Sequence, residues 1–293
     1  MRVLMQNDEG RADDSVGAYL ARHARRLVRS EPGLRAGDGD AVHDARTATR
    51  RIRAALAAYG DDQEPLRAAL RELGHALGAA RDPAVELHAL RRILDAEHPD
   101  HVRGPVALRI DEDLTAARQA GLDLLGGLLG RAWVDLVRLL DEVTDSPPHV
   151  RDLRTGARSA WRRLDRTVDA LGTVADDELD ESLHEVRKAA RRARYASEVA
   201  AAAFGRPARK SAKRARALQR VLGEQHDAVV RRDTLYRLSL QAVADGEEAF
   251  TYGRLHALAQ RSAADAERRA RPLVERVTAR GHRSWTRGPS SSR

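Results

Sequence analysis

Val42-His43-Asp44-Ala45-Arg46-Thr47-Ala48-Thr49-Arg50-Arg51-Ile52-Arg53 is the segment from which the fold is read. Within and just beyond it, Val42, Ala45, Thr49, Ile52, Leu56 and Tyr59 recur at steps of three and four, the spacing of one buried face of an α-helix. At about 100° per residue, His43, Arg46, Arg50 and Arg53 fall within an arc of ~80°, roughly 110° from the middle of the Val42/Ile52/Leu56 stripe. The cations therefore flank a buried seam and are placed to line a groove between helices.

The pattern returns. Leu183-His184-Glu185-Val186-Arg187-Lys188-Ala189-Ala190-Arg191-Arg192-Ala193-Arg194 repeats His, an acid, Arg, Arg-Arg and Arg in register, 141 residues downstream. Leu77-Gly78-Ala79-Ala80-Arg81-Asp82-Pro83-Ala84-Val85 likewise matches Leu222-Gly223-Glu224-Gln225-His226-Asp227-Ala228-Val229-Val230 at an offset of 145. Two motifs in the same order, separated by one extra helical turn in the second copy, indicate a duplicated unit and point to two helical bundles related by pseudo-twofold symmetry.

Along the rest of the chain, helix signals are dense and strand signals nearly absent. Helices are expected over Asp14–Arg29, from Asp40 as N-cap to Tyr59, from Pro65 to a break at Asp82-Pro83, and on through Leu94. Others follow at Pro105–Leu125, Arg131–Val143, Val150–Leu171, Asp180–Phe204, Pro207–Leu222, Ala228–Ala244 and Tyr252–Arg280, with Ser146-Pro147-Pro148 as the clearest linker. The fold class is all-α. The organisation expected is a flexible N-terminus over 1–13, a helical domain over 14–282 in two halves of about 14–145 and 149–282, and a disordered basic tail over 283–293.

The 293 residues carry 52 Lys plus Arg against 44 Asp plus Glu, a net charge of +8, and no cysteine. The missing thiols exclude a disulfide scaffold, a thiolate zinc site and a cysteine nucleophile. No apolar run approaches the ~18 residues of a membrane span, and the acidic N-terminus lacks a signal-peptide core, so the sequence reads as soluble and cytoplasmic, with no membrane partner. The charge is concentrated: 184–220 holds twelve cations against Glu185 and Glu198, a local +10 that exceeds the chain total. All three lysines, Lys188, Lys210 and Lys213, lie there.

A row of cations on an amphipathic helix is often only its solvated face. Here few acids interleave, and like charges at steps of three and four destabilise a helix by ~0.2–0.5 kcal/mol per pair, so an external polyanion is the expected neutraliser. His43 and His184 stand near expected helix N-termini, where a phosphate contact competes with a plain structural bond to a carbonyl. Asp82 and Asp227 read as helix N-caps. No Walker loop, dinucleotide fingerprint or serine elbow is present, and no histidine pair has metal-ligand spacing, so neither a catalytic residue, a metal nor a cofactor is assigned.

The segments His-acid-x-Arg-x₃-Arg-Arg-x-Arg, each followed by Leu-Gly-x₃-Asp-x₂-Val, resemble the CHAD family, the conserved histidine α-helical domain, over about Asp14 to Arg280. The resemblance implies two four-helix bundles with a basic central groove that binds inorganic polyphosphate, on polyphosphate granules. Carried over by position, the ligands are His43, Arg46, Arg50 and Arg53, then His184, Arg187, Lys188, Arg191 and Arg194, and Lys210, Lys213, Arg214 and Arg220. Thr47 stands opposite Lys188, Arg81 stands opposite His226, and 43–79 nets only +1, so the second half is expected to hold the polyanion harder. No segment resembles the acidic-tunnel triphosphatase domain that accompanies some members, and hydrolysis is not implied. Two other readings stay open: a nucleic-acid or nucleoid-associated binder using the same surface, and a metal-dependent phosphohydrolase, which needs clustered carboxylates that the sequence does not offer.

Overall fold

Alanine- and leucine-rich stripes at helical spacing produce nine α-helices among the residues described by the computed structural model, 2–60, 63–147 and 153–287, and none of these residues is in a strand. They are α1 (Arg2–Arg29), α2 (Glu31–Arg35), α3 (Gly39–Tyr59), α4 (Glu64–Asp95), α5 (Val106–Leu128), α6 (Arg131–Asp145), α7 (Leu153–Ala170), α8 (Leu179–Ala244) and α9 (Phe250–Thr278). A 3-10 segment, Arg280–Thr286, follows. Pro148 of the expected linker, residues 149–152 at the start of the expected second half and residues 288–293 of the expected tail lie outside the described residues, as do the side chains of the acidic N-terminus.

Three buried clusters join the helices. The first packs α1, α3, the first half of α4 and α6 through Leu20, Ile52, Leu70 and Leu136. The second packs the end of α7, two separated parts of α8 and the end of α9 through Trp161, Val186, Leu218 and Val277. At the far end the α4–α5 hairpin meets the α8–α9 hairpin through Leu90, Ile110, Leu235 and Tyr252. Two four-helix groups are therefore present, α1/α3/α4/α6 and α7/α9 with the two parts of α8. Their cores are not confined to the expected halves: Ala196, Val199 and Ala200 of α8 and Trp285 belong to the first cluster. Tyr59 ties the halves by donating to the Ala196 carbonyl at 2.9 Å.

Several boundaries differ from expectation. Asp38, not Asp40, caps α3, its carboxylate accepting from the amides of Asp40 at 3.3 Å and Ala41 at 3.1 Å. α1 begins at Arg2 rather than Asp14. The break expected at Asp82-Pro83 is absent, because α4 runs through Pro83. Proline cannot donate to the carbonyl four residues back, which is Ala79, and α5 packs against that same carbonyl with Gly121, where a Cβ would overlap the Ala79 backbone. The break expected after Leu222 is absent too, so Asp82 and Asp227 lie in mid-helix and are not N-caps. α8 does turn at Gly205 (φ 59°, ψ −131°), just before Pro207, where only glycine adopts the backbone without strain. The tail is ordered through Thr286: Trp285 is buried and donates to Ser211 Oγ at 2.9 Å, which pins the segment onto α8.

Candidate anion-binding site

Alanines at 45, 48, 189, 190 and 193 are fully or almost fully buried, and these small side chains let α3 and α8 approach closely. The arginines beside those stripes consequently face one another. Arg50 and Arg53 of α3, Arg191 and Arg192 of α8, and Arg67 and Arg71 of α4 line one cavity of about 280 Å³, floored by Ala54 and Ala57. No acid among the described residues lines it. Arg50, Arg53, Arg191 and Arg192 have no ion pair among the described residues, and the buried Nε of Arg50 has no hydrogen-bond partner. Glu64 offsets part of the α4 wall, accepting from Arg71 at 2.7 Å and lying 3.8 Å from Arg67.

Crowding of like charges marks the cavity. Burial foremost, and then Arg50, Arg187 and Arg53, push Arg191 down to about 10. Burial followed by cationic neighbours also lowers Arg50, Arg53 and Arg192, whose neighbours include Arg46 and Arg187, Arg71 and Arg67, and Arg163 respectively. All remain charged at neutral pH. Such a cluster is a standing field for an anion with closely spaced oxygens, each able to take a forked guanidinium.

One end of the groove is balanced instead. Arg46 reaches both oxygens of Asp82, one at 3.0 Å, and Arg187 is lowered by burial against the opposing pull of Asp227. The two motifs of each sequence recurrence, far apart in the chain, therefore meet here. His184 and His226 place their Nδ1 atoms 3.2 Å apart. Burial first, and then Lys188 and Arg187, lower His184; burial, Arg187 and His184 hold His226 at about 4. No group of three or more His, Asp and Glu among the described residues is placed to hold a metal ion.

A family model for the CHAD domain matches residues 18–236. The chain belongs to the CHAD-domain family. Two Mycobacterium tuberculosis proteins, MT2285 and Rv2226, both described as uncharacterized, are 33% identical over 279 residues, covering 89% of this chain and 52% of theirs. The chain thus spans about half the length of the curated relatives it matches. In fold it is similar to PptA from Streptomyces chartreusis (TM-score 0.71, 20% identity, 90% of this chain and 99% of that one). It is similar also to the CHAD domain from the plant Ricinus communis (TM-score 0.64, 24% identity, 90% and 91%).

In this CHAD domain the residues singled out from sequence divide by their surroundings. Arg50, Arg53 and Arg191 line the cavity, and Arg46 and Arg187 stand at its balanced end. Arg194 is engaged: Glu198 accepts from it at 2.7 Å and from Arg51 at 2.5 Å, and Gln219 accepts from it at 3.2 Å. Lys188 is paired with Glu185. Arg214 reaches toward the Arg276 carbonyl at 3.5 Å, on the α9 side. Lys210, Lys213 and Arg220 are exposed on α8 outside the cavity lining. His43 is exposed one turn beyond the start of α3, whose first amides Asp38 already caps, so the free helix end expected beside it is not there.

Arg67, Arg71 and Arg192 were not among the residues carried over. Their signal was legible as cations in the helix that follows the first motif and in the Arg191-Arg192 pair. The cavity draws four of its six arginines from α3 and α4, so its lining is not concentrated in the second half. The local +10 overstated the second half because its cations from Arg206 to Arg220 lie on α8 outside the cavity lining.

Proposed function

We propose that the groove binds inorganic polyphosphate and performs no catalysis, the protein serving as a polyphosphate-granule or polyphosphate-associated binder. The observation that carries this reading is a single cavity walled by six arginines and by no described acid. Phosphate oligomers present a dense row of oxygens that guanidinium forks match in pairs.

The aromatics argue for a base-free ligand. Single-stranded nucleic-acid binders add stacking platforms worth ~1–3 kcal/mol per base. Tyr195, beside the groove arginines, is 3% exposed and covered by Arg51 and Arg194. Phe204 has the Arg154 guanidinium over its ring at 4.4 Å and Trp285 tilted against it at 5.4 Å. Neither ring is offered to a base. Among the described residues no helix is long and apolar enough to cross a membrane.

The test is competition at matched salt and equal phosphate concentration. Long-chain polyphosphate should displace duplex DNA while DNA fails to displace polyphosphate; the reverse order transfers the groove to nucleic acid. Phosphate release on incubation with magnesium or manganese would contradict a non-catalytic role.

A further inference from the structure

We infer that the outer face of α7 forms a second anion-binding trough, separate from the groove, so that one molecule holds two phosphate-oligomer segments at once. The inference rests on the polyphosphate reading of the groove and extends it from one site to two.

Two cavities of about 610 and 310 Å³ adjoin on α7, sharing Arg158, Arg162 and Asp165 in their walls. Arg158, Arg162 and Arg166 stand at successive steps of four, with Arg287 across the trough and the Ser159 hydroxyl between. Two like-charged pairs at that spacing destabilise the helix by ~0.2–0.5 kcal/mol each, and a bound anion removes the penalty.

The acid in the wall gives no relief. Both oxygens of Asp165 accept from Nη1 of the buried Arg283 at 2.9 Å. Arg158 is fixed in place, its Nε donating to the Thr286 carbonyl at 2.9 Å. Arg162 and Arg166 are exposed and have no hydrogen bond or ion pair among the described residues, so their forks are open to a ligand. The trough offers no base platform, since Trp161 at its inner end is 2% exposed and donates to Ser197 Oγ at 3.0 Å.

The two sites are distinct. Their linings share no residue. Arg163 turns the other way from Arg162, toward the groove, where its charge lowers Arg192. A trough on one side of α7 and a groove on the other make the protein bivalent, and bivalent binders convert a second contact into an intramolecular one.

Titration calorimetry with tripolyphosphate, too short to span α7, tests the inference on the wild type, on Arg162→Gln/Arg166→Gln and on Arg53→Gln/Arg191→Gln. We expect two equivalents for the wild type and one for each variant. Light scattering with long-chain polyphosphate should show particles for the wild type and none for the α7 variant. An α7 variant that keeps two equivalents, or a wild type that takes one, overturns the trough and leaves the groove standing. A groove variant that keeps two equivalents, while the α7 variant takes one, overturns the groove reading and supports the trough. Arg162→Glu/Arg166→Glu, with circular dichroism to confirm folding, must give the same loss of one equivalent.

Discussion

Replacing Arg53 and Arg191 together by Gln removes one guanidinium from each of two facing helices without adding an acid, and the loss should appear as salt dependence. Six arginines line the cavity, and Glu64 neutralises the equivalent of one, pairing with Arg71 near Arg67. About five charges remain for the ligand, and at ~0.7 per phosphate neutralised on a single-stranded polyanion the slope of log K against log salt is about −3.5. The variant, with about three, should give about −2.1. Between about 50 and about 200 mM salt those slopes correspond to losses of about 130-fold and about 18-fold. Anisotropy of end-labelled polyphosphate across a salt series, in the Arg162→Gln/Arg166→Gln background that removes the α7 trough, measures both. Arg194→Gln is the control: that side chain is 12% exposed and bound to Glu198, so its removal should leave the slope unchanged. A slope that flattens as much for Arg194→Gln as for the double variant, or stays near −3.5 in the double variant, refutes the reasoning.

Glu198→Gln should release Arg51 and Arg194 from their shared carboxylate, steepening the salt slope while lowering thermal stability by about 1–3 kcal/mol, as removal of one partner from a half-buried ion pair does; calorimetry and the same anisotropy series check the two effects together. His23, His226 and His282 are each held at about 4, chiefly by burial, against 6.5 for a free imidazole, so the unfolded chain binds protons that the folded one refuses. Stability is therefore full above about pH 6.5 and falls as pH drops toward 4; for His23, 5% exposed, the loss is on the order of 2–3 kcal/mol, and His23→Leu should flatten the melting profile over that range. Gly121→Ala should push α5 off the Ala79 backbone and cost about 1–3 kcal/mol, read as a melting temperature lowered by several degrees with anion affinity unchanged.

The sequence carried the helices and half of the groove for one reason: both follow from period. Val42, Ile52 and Leu56 are buried where their spacing put them, and Arg50 and Arg53 lie beside that stripe as Arg191 lies beside the matching Val186/Ala190 stripe of α8. What period cannot report is what a helix meets. Pro83 reads locally as a stop, yet α4 passes through it because both ends are fixed in different clusters, Leu77 in one and Leu90 in another. Asp82 and Asp227 look like caps for the same local reason, whereas their surroundings are arginines from the other motif, a contact visible only once α3 and α4, and the two parts of α8, lie side by side. Arg194 matches Arg53 in register, but Glu198 lies one turn beyond Arg194 on the same helix, whereas Ala57 occupies the equivalent place after Arg53.

That broken symmetry explains how a cluster of repelling arginines can be held together. Glu198 bonds to Arg51 of α3 and to Arg194 of α8, so a single acid links the two helices whose other arginines repel across the groove. Tyr19 of α1 adds a third element, accepting from Arg51 at 3.1 Å, and its hydroxyl is pushed up to about 12 by burial, so it stays neutral and keeps that contact. The attractive pairs thus sit behind the groove and the unpaired cations within it. An acid moved into the groove would relieve the same repulsion and abolish the field that draws an anion. Placing it one helix face away lets α3 and α8 remain close enough for Arg50, Arg53, Arg191 and Arg192 to converge on one ligand, which is the arrangement that forked recognition of successive phosphates requires.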